Sequence, residues 1–448
     1  MKKMYRNMLL FSSTVVFLAV APLIVLYAMG YRMGASPVDP LPLGVLLIET
    51  TPRRAQLVVN DIQHGETPRS VSGLIPGDAR ISITKEGYQE WQKTIRIEPS
   101  LLSEFRDIRL FPSDIKKTTI ATEVTSFSLS PNRTLVAVLT VDKKLVVVDE
   151  EGQLINNPVQ LTALPSELLW SPDSTSLLVL YKKGAGHIIV VADADQQPIF
   201  QKTLTGIKQA VWDPRVPGRL LLLTTAGELK AYSHVNNSTY QISKGVETFA
   251  TSSKMIYAVD ANGILNTYTF SGEPTGVVNF NMPSPIEELF ITPANKRVVQ
   301  TADKTLYLVP DAGEPLKVAE HVLSTGWSPD GQLLYVQPES NELYVYNAGV
   351  DRLPWLPIKE LQLVVRLSRP IVNPQWFAGG RHLIYQTNDE VMISEVDTRD
   401  HALQYRIDST NMGDAQTAVG TDGERLFYLS KNKETTELTV ASLLVTTN

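Results

Sequence analysis

The 448-residue sequence contains no cysteine. This absence excludes disulfide bonds, thiolate catalysis, cysteine-ligated zinc or iron–sulfur centres, and lipid attachment through an N-terminal cysteine. Only six histidines occur, and no two have the spacing of a zinc-binding helix. A G-x-S-x-G nucleophile motif is also missing, and Asp193-Ala194-Asp195 starts like a calcium loop but continues with two glutamines. We therefore expect no catalytic residue, no metal ligand and no cofactor.

Long hydrophobic runs are rare, with one exception near the N-terminus. Leu9–Met29 carries no charge and follows Lys2, Lys3 and Arg6. As a helix of ~1.5 Å per residue it is long enough for a hydrocarbon core of ~30 Å. A cleaved signal peptide is the alternative, but the run exceeds the usual h-region, and Pro22 spoils the Ala-Val-Ala cleavage site before it.

We therefore predict a basic cytoplasmic tip and a transmembrane signal anchor over residues 1–33. The positive-inside rule places the rest of the chain outside the cytoplasm, so the protein is expected to be a single-pass plasma-membrane protein. Residues 34–43 contain Pro37, Pro40 and Pro42 and are predicted to form an extended linker.

Residues 44–112 have the pattern of a small β-domain with specific turns. Two strands, Gly44–Ile48 and Ala55–Val59, flank Thr51-Pro52, and later turns have the form G-x-T-P, L-x-P-G and K-x-G-Y-x-x-W before a closing L-F-P. This pattern resembles the PEGA domain, although Pro52-Arg53-Arg54-Ala55 lacks the glycine of its signature. The resemblance implies an envelope module without enzymatic activity, which either binds carbohydrate or serves as a stalk.

The remaining residues, 113–448, repeat one turn motif. Trp170-Ser171-Pro172-Asp173 returns as Trp327-Ser328-Pro329-Asp330-Gly331, and looser copies bring the total to eight. The copies recur every 36 to 49 residues, close to the ~40–45 residues of a four-stranded propeller blade. Looser copies begin at Leu129, Trp212, Ala250, Ile291, Trp376 and Val419.

Each motif copy is followed by short apolar runs that are typical of buried strands. The segment resembles the WD40-like propeller of TolB-type periplasmic proteins. That resemblance implies an all-β head with eight blades, or seven as the alternative. Ile115–Ile120 has no repeat of its own, so we predict that it supplies the outer strand of the last blade and closes the ring.

The charge of the repeat segment restricts its partners. The first 112 residues hold 13 of the 41 basic and 10 of the 47 acidic side chains, which leaves 28 basic and 37 acidic side chains in the repeats. A nucleic-acid-binding domain normally has the opposite balance. We therefore predict no nucleic-acid partner.

These features favour a membrane-anchored scaffold that recognises an envelope protein or a cell-surface glycan. A TolB-like periplasmic assembly factor is the first alternative, and a propeller enzyme such as a glycan lyase or a quinoprotein-like oxidoreductase is the second. Binding is expected on the rim that carries the variable hairpins, because loops on a rigid scaffold concentrate binding residues. The candidate contact residues are Lys182, Lys183, Glu228, Asp260, Asn262, Asp303, Lys304, Glu339, Asn341, Asn388, Asp389, Lys431, Glu434 and, in a long insertion, Trp355.

Overall fold

The computed structural model describes most of the chain, and the statements below concern those residues. They are 2–28, 31–33, 40–155, 157–181, 185–190, 199–278, 282, 284–292, 295–310, 313–350, 355–409, 416–420, 423–432 and 435–445. The chain divides into two compact units. Unit 1 comprises Met1–Asp114, Thr398–Leu403 and Val445–Asn448, and unit 2 comprises Ile115–Asp397 and Gln404–Leu444.

The N-terminal segment forms one helix, α1 (Lys2–Ala28), which contains Pro22. Large apolar side chains such as Phe11, Phe17 and Leu18 are exposed on it. Among the described residues, no helix meets the length and apolarity that crossing a membrane requires. A short antiparallel pair follows, formed by β1 (Tyr31–Met33) and β2 (Pro40–Pro42).

Two sheets make up the β-domain of unit 1. Its strands are β3 (Gly44–Thr51), β4 (Gln56–Val59), β5 (Ile62–Glu66), β6 (Arg69–Leu74), β7 (Gly77–Thr84), β8 (Trp91–Ile97) and β9 (Leu102–Arg109). One sheet has the order β6-β3-β9 and the other β5-β4-β7-β8. In β7 and β8, side chains alternate between buried and solvent-facing, as the alternating sequence predicts for strands with one face in a core.

The core of this domain is built on Trp91. It is 1% exposed and meets Phe105 edge to face at a centroid distance of 5.4 Å. Phe105 lies on β9, which pairs in parallel with β3. Arg399, from the distant segment of unit 1, lies 3.6 Å above the Phe105 ring. Neither this parallel strand nor the segment Thr398–Leu403 was predicted from the sequence.

Unit 2 consists of four-stranded antiparallel sheets, eight in the part of the chain that the structure describes. Sheets 1 to 4 use consecutive strands: β11 (Val124–Leu129), β12 (Leu135–Thr140), β13 (Lys144–Asp149), β14 (Val159–Gln160); β15 (Glu167–Trp170), β16 (Ser176–Tyr181), β17 (Ala185–Val190), β18 (Ile199–Leu204); β19 (Ile207–Trp212), β20 (Arg219–Thr224), β21 (Leu229–Ser233), β22 (Ser238–Ser243); β23 (Val246–Thr251), β24 (Ile256–Asp260), β25 (Leu265–Tyr268), β26 (Pro274–Val278).

Sheets 5 to 7 continue in the same way, and sheet 8 combines both ends of the unit. Their strands are β27 (Ile286–Ile291), β28 (Arg297–Thr301), β29 (Leu306–Val309), β30 (Leu316–Ala319); β31 (Ser324–Trp327), β32 (Leu333–Gln337), β33 (Glu342–Asn347), β34 (Leu361–Arg366); β35 (Val372–Trp376), β36 (His382–Gln386), β37 (Glu390–Glu395), β38 (Gln404–Ser409); and β39 (Thr417–Val419), β40 (Arg425–Asn432), β41 (Thr435–Ser442) with β10 (Lys117–Thr122).

The predicted closing strand is confirmed. β10 pairs antiparallel with β41, so the start of unit 2 supplies the outer strand of its last sheet. Phe127 and Val138 of sheet 1 share one apolar core with Phe427 and Leu438 of sheet 8. Apolar cores likewise join sheets 1 to 6 in order, and hydrogen bonds from Trp376 and Gln375 join sheet 7 to sheets 6 and 8, so the sheets close into a ring.

The repeated tryptophans join neighbouring sheets. Trp212 on β19 is 6% exposed, and its Nε1 donates a hydrogen bond of 2.8 Å to the carbonyl of Leu169 on β15. Trp170 and Trp376 donate in the same way to the first strand of the preceding sheet. The Nε1 of Trp327 is buried without a hydrogen-bond partner in the described part of the chain. The motif thus positions tryptophan between sheets, as expected for a core residue.

The Ser-Pro-Asp turns follow these tryptophans. Ser171 Oγ donates to Asp173 at 2.5 Å and accepts from the amide of Ser176 at 2.9 Å. Ser328, Asp330 and Leu333 repeat the arrangement. Local hydrogen bonding by serine and aspartate therefore explains why the phrase recurs wherever a first strand turns into a second.

Candidate functional site

The two faces of the ring differ in the loops they carry. At the start of β11, Val124 lies opposite Thr140, and at its end Leu129 lies opposite Val136. The Ser-Pro-Asp turns therefore lie at one face of the ring, which we call the turn face. The hairpins that join the second and third strands lie at the other, which we call the hairpin face.

On the hairpin face the first strands do not run regularly. β11, β19, β23, β27 and β35 each shift register by one residue near their start. Such bulges turn side chains away from the regular alternation of a strand. Beside the bulge of β35, Asn373 has a left-handed backbone with φ of 47°, a conformation that asparagine tolerates better than most residues.

A cavity of about 470 Å³ opens between the bulged starts of these first strands. It lies where sheets 7, 8 and 1 meet, which is also where the ring closes. Seven described side chains line it, and all are uncharged: three carry a hydroxyl, three carry a carboxamide, and one is proline. They are Thr125, Ser126, Asn373, Pro374, Gln375, Gln416 and Thr417.

Two smaller cavities extend this one in both directions around the ring. A cavity of about 310 Å³ shares Asn373 and Pro374 with it and continues over Tyr335 and Ser340 of sheet 6. A cavity of about 230 Å³ shares Ser126 and Gln416 with it and continues over Ser166 and Glu167, next to sheet 2. We call the three together the mouth groove. Glu167 is the one charged side chain among its described lining residues.

The glutamines of the groove are held by bonds across the joins between sheets. Gln416 donates from Nε2 to the Phe127 carbonyl at 2.6 Å and accepts from the Phe127 amide at 3.0 Å. Gln375 donates to the Thr417 carbonyl at 2.9 Å. Gln209 forms the same pair of hydrogen bonds with the backbone of Phe249, between sheets 3 and 4. Side chains fixed in this way require little ordering when a ligand binds.

The opposite arc of the same face is charged. Lys208 pairs with Glu247 at 3.0 Å, and Lys304 pairs with Glu287 at 2.7 Å. Burial, together with the neighbouring Glu287, raises the pKa of Glu288. The described lining of the mouth groove is therefore nearly free of charge, whereas ion pairs lie on the opposite arc and also on the hairpins of sheets 1 and 7.

Several of the predicted contact residues are engaged by their own hairpins. A hydrogen bond from Thr301 lowers the pKa of the Asp303 carboxyl, and one from Lys230 lowers that of Glu228. Asp260 accepts the amides of Asn262 and Ile264 at 2.9 and 3.0 Å. These carboxylates stabilise turns in addition to lining a rim.

Two of the predicted contact residues lie on the hairpin of sheet 6, beside the mouth groove. Glu339 and Asn341 flank Ser340, which lines the 310 Å³ cavity. Asn341 Nδ2 donates to the Leu367 carbonyl at 2.8 Å, which fixes this hairpin against the chain leading to sheet 7.

The other predicted residues are more scattered. Asn388 and Asp389 are exposed on the hairpin of sheet 7, where Asp389 pairs with Arg369 at 2.5 Å, and Lys431 is exposed near the end of β40. Trp355 is half-buried in the loop between β33 and β34, at the turn face. Lys182, Lys183 and Glu434 lie outside the described residues.

The neutral lining of the main cavity was not predicted. Thr125, Asn373 and Gln416 occupy no motif and lie far apart in the sequence. The one sequence signal is the position of the glutamines, since Gln209 and Gln416 both lie three residues before the last residue of a first strand. In the described residues, no three acidic or histidine side chains are placed to hold a metal ion.

Comparison with known proteins identifies both units. The PEGA domain model matches residues 43–102. The fold is similar to the C-terminal WD40 domain of Sif2, with 12% identity, 73% of this chain and 99% of that chain covered, and a TM-score of 0.52. It is also similar to the WD40 domain of SCAP from fission yeast, with 12% identity, 73% and 98% coverage, and a TM-score of 0.51. None of the curated proteins matches the sequence.

Residues 43–102 match the PEGA domain, the repeats have a β-propeller fold, and the described chain is all-β apart from α1.

Proposed function

We propose that the protein is a binding scaffold of the cell envelope and that its eight-bladed propeller recognises a protein or glycan partner through the hairpin face. The observation that carries the proposal is the mouth groove, a fixed concave surface whose described polar lining consists of hydroxyl and carboxamide groups apart from Glu167. Concave sites with a few fixed polar groups are where ligands usually bind.

The composition of the groove favours binding over catalysis. General acid–base chemistry requires a titratable group within reach of the substrate, and nucleophilic chemistry requires a base beside the nucleophile. The described residues of the main cavity present hydroxyl and carboxamide groups and no carboxylate or imidazole. We therefore propose that the propeller is not an enzyme. The excess of acidic side chains in residues 113–448 also argues against a nucleic-acid partner.

The proposal places the propeller outside the cytoplasm, attached to the plasma membrane through the N-terminal segment. It is supported by Lys2, Lys3 and Arg6 before an uncharged apolar run, and by the exposed apolar side chains of α1 such as Phe11 and Phe17. The PEGA domain, which follows the linker, is proposed to act as a stalk or as a second carbohydrate-binding module.

Two matched pairs of charge reversals test the binding face. Glu339→Lys with Lys431→Glu changes the hairpin face, and Glu314→Lys with Lys254→Glu changes the turn face; both pairs leave the net charge unchanged. All four side chains are exposed. Partners are recovered by chemical crosslinking on intact cells. We expect the hairpin pair to reduce recovery at least tenfold and the turn pair to leave it unchanged.

The opposite pattern, with both variants folded, would assign binding to the turn face. Recovery of no partner by the unmodified chain would remove the scaffold proposal itself.

A further inference from the structure

The lining of the mouth groove determines which ligands it can accept. Among the residues that the structure describes, no charged side chain lines the 470 Å³ cavity or the 310 Å³ cavity. A phosphate, carboxylate or ammonium group placed there would lose its hydration without gaining a counter-charge, which is costly. The groove is therefore suited to a ligand that is polar and uncharged.

The hydrogen-bonding groups of the lining narrow the class of suitable ligands further. Hydroxyl side chains both donate and accept, and carboxamides offer one group of each kind. Thr125, Ser126 and Thr417 supply the hydroxyls of the main cavity, and Asn373 supplies an exposed carboxamide beside them. A ligand rich in hydroxyl groups matches this set, because each of its groups can also donate and accept. A peptide main chain is instead matched best by the free edge of a strand.

Apolar surface alternates with these polar groups. Pro374 separates the main cavity from the 310 Å³ cavity, where Ile371 and the largely buried Tyr335 form part of the lining. Burial raises the pKa of Tyr335, so its ring stays a neutral phenol. A sugar ring has apolar C–H faces and a hydroxylated edge, and so pairs with both kinds of surface.

The extent of the groove favours more than one sugar unit. Each smaller cavity shares two lining residues with the central one, so the three form a continuous arc over sheets 6, 7, 8, 1 and 2. The inter-sheet bonds of Gln375 and Gln416 hold this arc in one shape. Each of the two larger cavities has a volume in the usual range for ligand sites.

We propose that the mouth groove binds an uncharged oligosaccharide, with Thr125 and Asn373 among its direct contacts. The proposal rests on the function proposed above, since it selects the glycan as the partner and places it on the hairpin face.

The test uses the purified full-length chain and isothermal titration calorimetry. The probes are uncharged tetrasaccharides of glucose, mannose, galactose and N-acetylglucosamine. A sulfated tetrasaccharide and an uncharged polar decapeptide serve as comparators. We expect at least one uncharged tetrasaccharide to bind and both comparators to show no binding.

The variant Thr125→Val/Asn373→Gly removes a hydroxyl and a carboxamide from the groove. Valine preserves the shape of threonine, and glycine accepts the left-handed backbone of position 373. The matched control is Asn237→Gly, at an exposed asparagine with φ of 52° in the loop between β21 and β22, at the turn face and outside the groove. The groove variant should bind at least tenfold more weakly, and the control should bind as tightly as the unmodified chain.

The proposal is overturned if no uncharged tetrasaccharide binds, if only a comparator binds, or if the groove variant retains full affinity while folded. These outcomes are separable from failure of the scaffold function. A chain that binds no sugar but still crosslinks a protein on the hairpin face keeps the proposed function and loses this inference.

Discussion

Replacing the indole N–H of Trp212 without changing its shape should weaken the ring. The N–H bonds to the Leu169 carbonyl at 2.8 Å across two sheets, and the side chain is 6% exposed. Substitution by 3-benzothienylalanine keeps the ring area and places sulfur where nitrogen was. A buried acceptor left without its donor costs about 1–3 kcal/mol. We expect the free energy of unfolding to fall by that amount.

Trp327 provides the matched control. It occupies the same motif position, but its Nε1 is buried without a partner in the described part of the chain. The same isosteric replacement there removes an unsatisfied donor, so stability should stay unchanged or rise. Trp170 and Trp376 donate to neighbouring sheets at 3.0 and 2.8 Å and should behave like Trp212.

Urea unfolding of the full-length chain, followed by circular dichroism, measures the difference. A change in midpoint at constant slope reports stability alone. Equal changes at Trp212 and Trp327 would refute the reasoning, because they would show that the tryptophans stabilise the ring by packing only.

Three further predictions follow from the fold, the charges and the N-terminus. Deleting Lys117–Thr122 unpairs β41 and should cost several kcal/mol in unfolding free energy; unchanged thermal stability would show that the ring closes without it. Glu288→Gln should raise the urea midpoint at pH 7.5, because desolvation raises the pKa of Glu288 in the folded state and so penalises its charged form. The gain in stability should vanish below the unfolded pKa of glutamate, near pH 4. A gain that persists at that pH would contradict the prediction. If Leu9–Met29 anchors the chain, carbonate washing should leave it in the membrane pellet, whereas a soluble form beginning near Pro22 or Ser36 would exclude the anchor.

Local sequence was sufficient to predict the elements that depend on nearby residues. The predicted strand Gly44–Ile48 lies within β3, and the strand predicted at Ala55–Val59 matches β4 to within one residue. The weak repeat at Ala250 also belongs to a complete sheet, because it lies at the end of β23, the first strand of sheet 4. In each case the apolar pattern and the turn chemistry of about ten residues determine the strand.

Elements that depend on distant residues were not predicted. β9 pairs in parallel with β3, more than fifty residues earlier, and nothing in its alternation specifies that partner. Likewise, the amide of Thr94 donates to Asp400 at 2.8 Å within unit 1, although the two lie 306 positions apart. Such pairings follow from tertiary packing and not from local propensity.

For the candidate site, the repeat pattern indicates the face of the ring, but the cavity depends on residues that are distant in the sequence. The hairpin face follows from the repeat, because the turns are uniform and the hairpins vary. The cavity follows from ring closure, which brings Ser126 beside Gln416 across 290 positions. Charged hairpin residues are conspicuous in a sequence, but Asp303 and Asp260 are engaged by their own turns. The neutral residues of the cavity carry no comparable signal.

Ring closure and ligand binding therefore depend partly on the same residues. Gln416 lines the cavity and also forms two hydrogen bonds with the backbone of Phe127. Its replacement would therefore both weaken the contact between sheets 8 and 1 and change the shape of the groove. Loss of binding in such a variant would not identify a ligand contact. Thr125 and Asn373 line the same cavity, and substitutions there leave both hydrogen bonds between Gln416 and Phe127 in place, which is why these two positions test recognition apart from the join between the sheets.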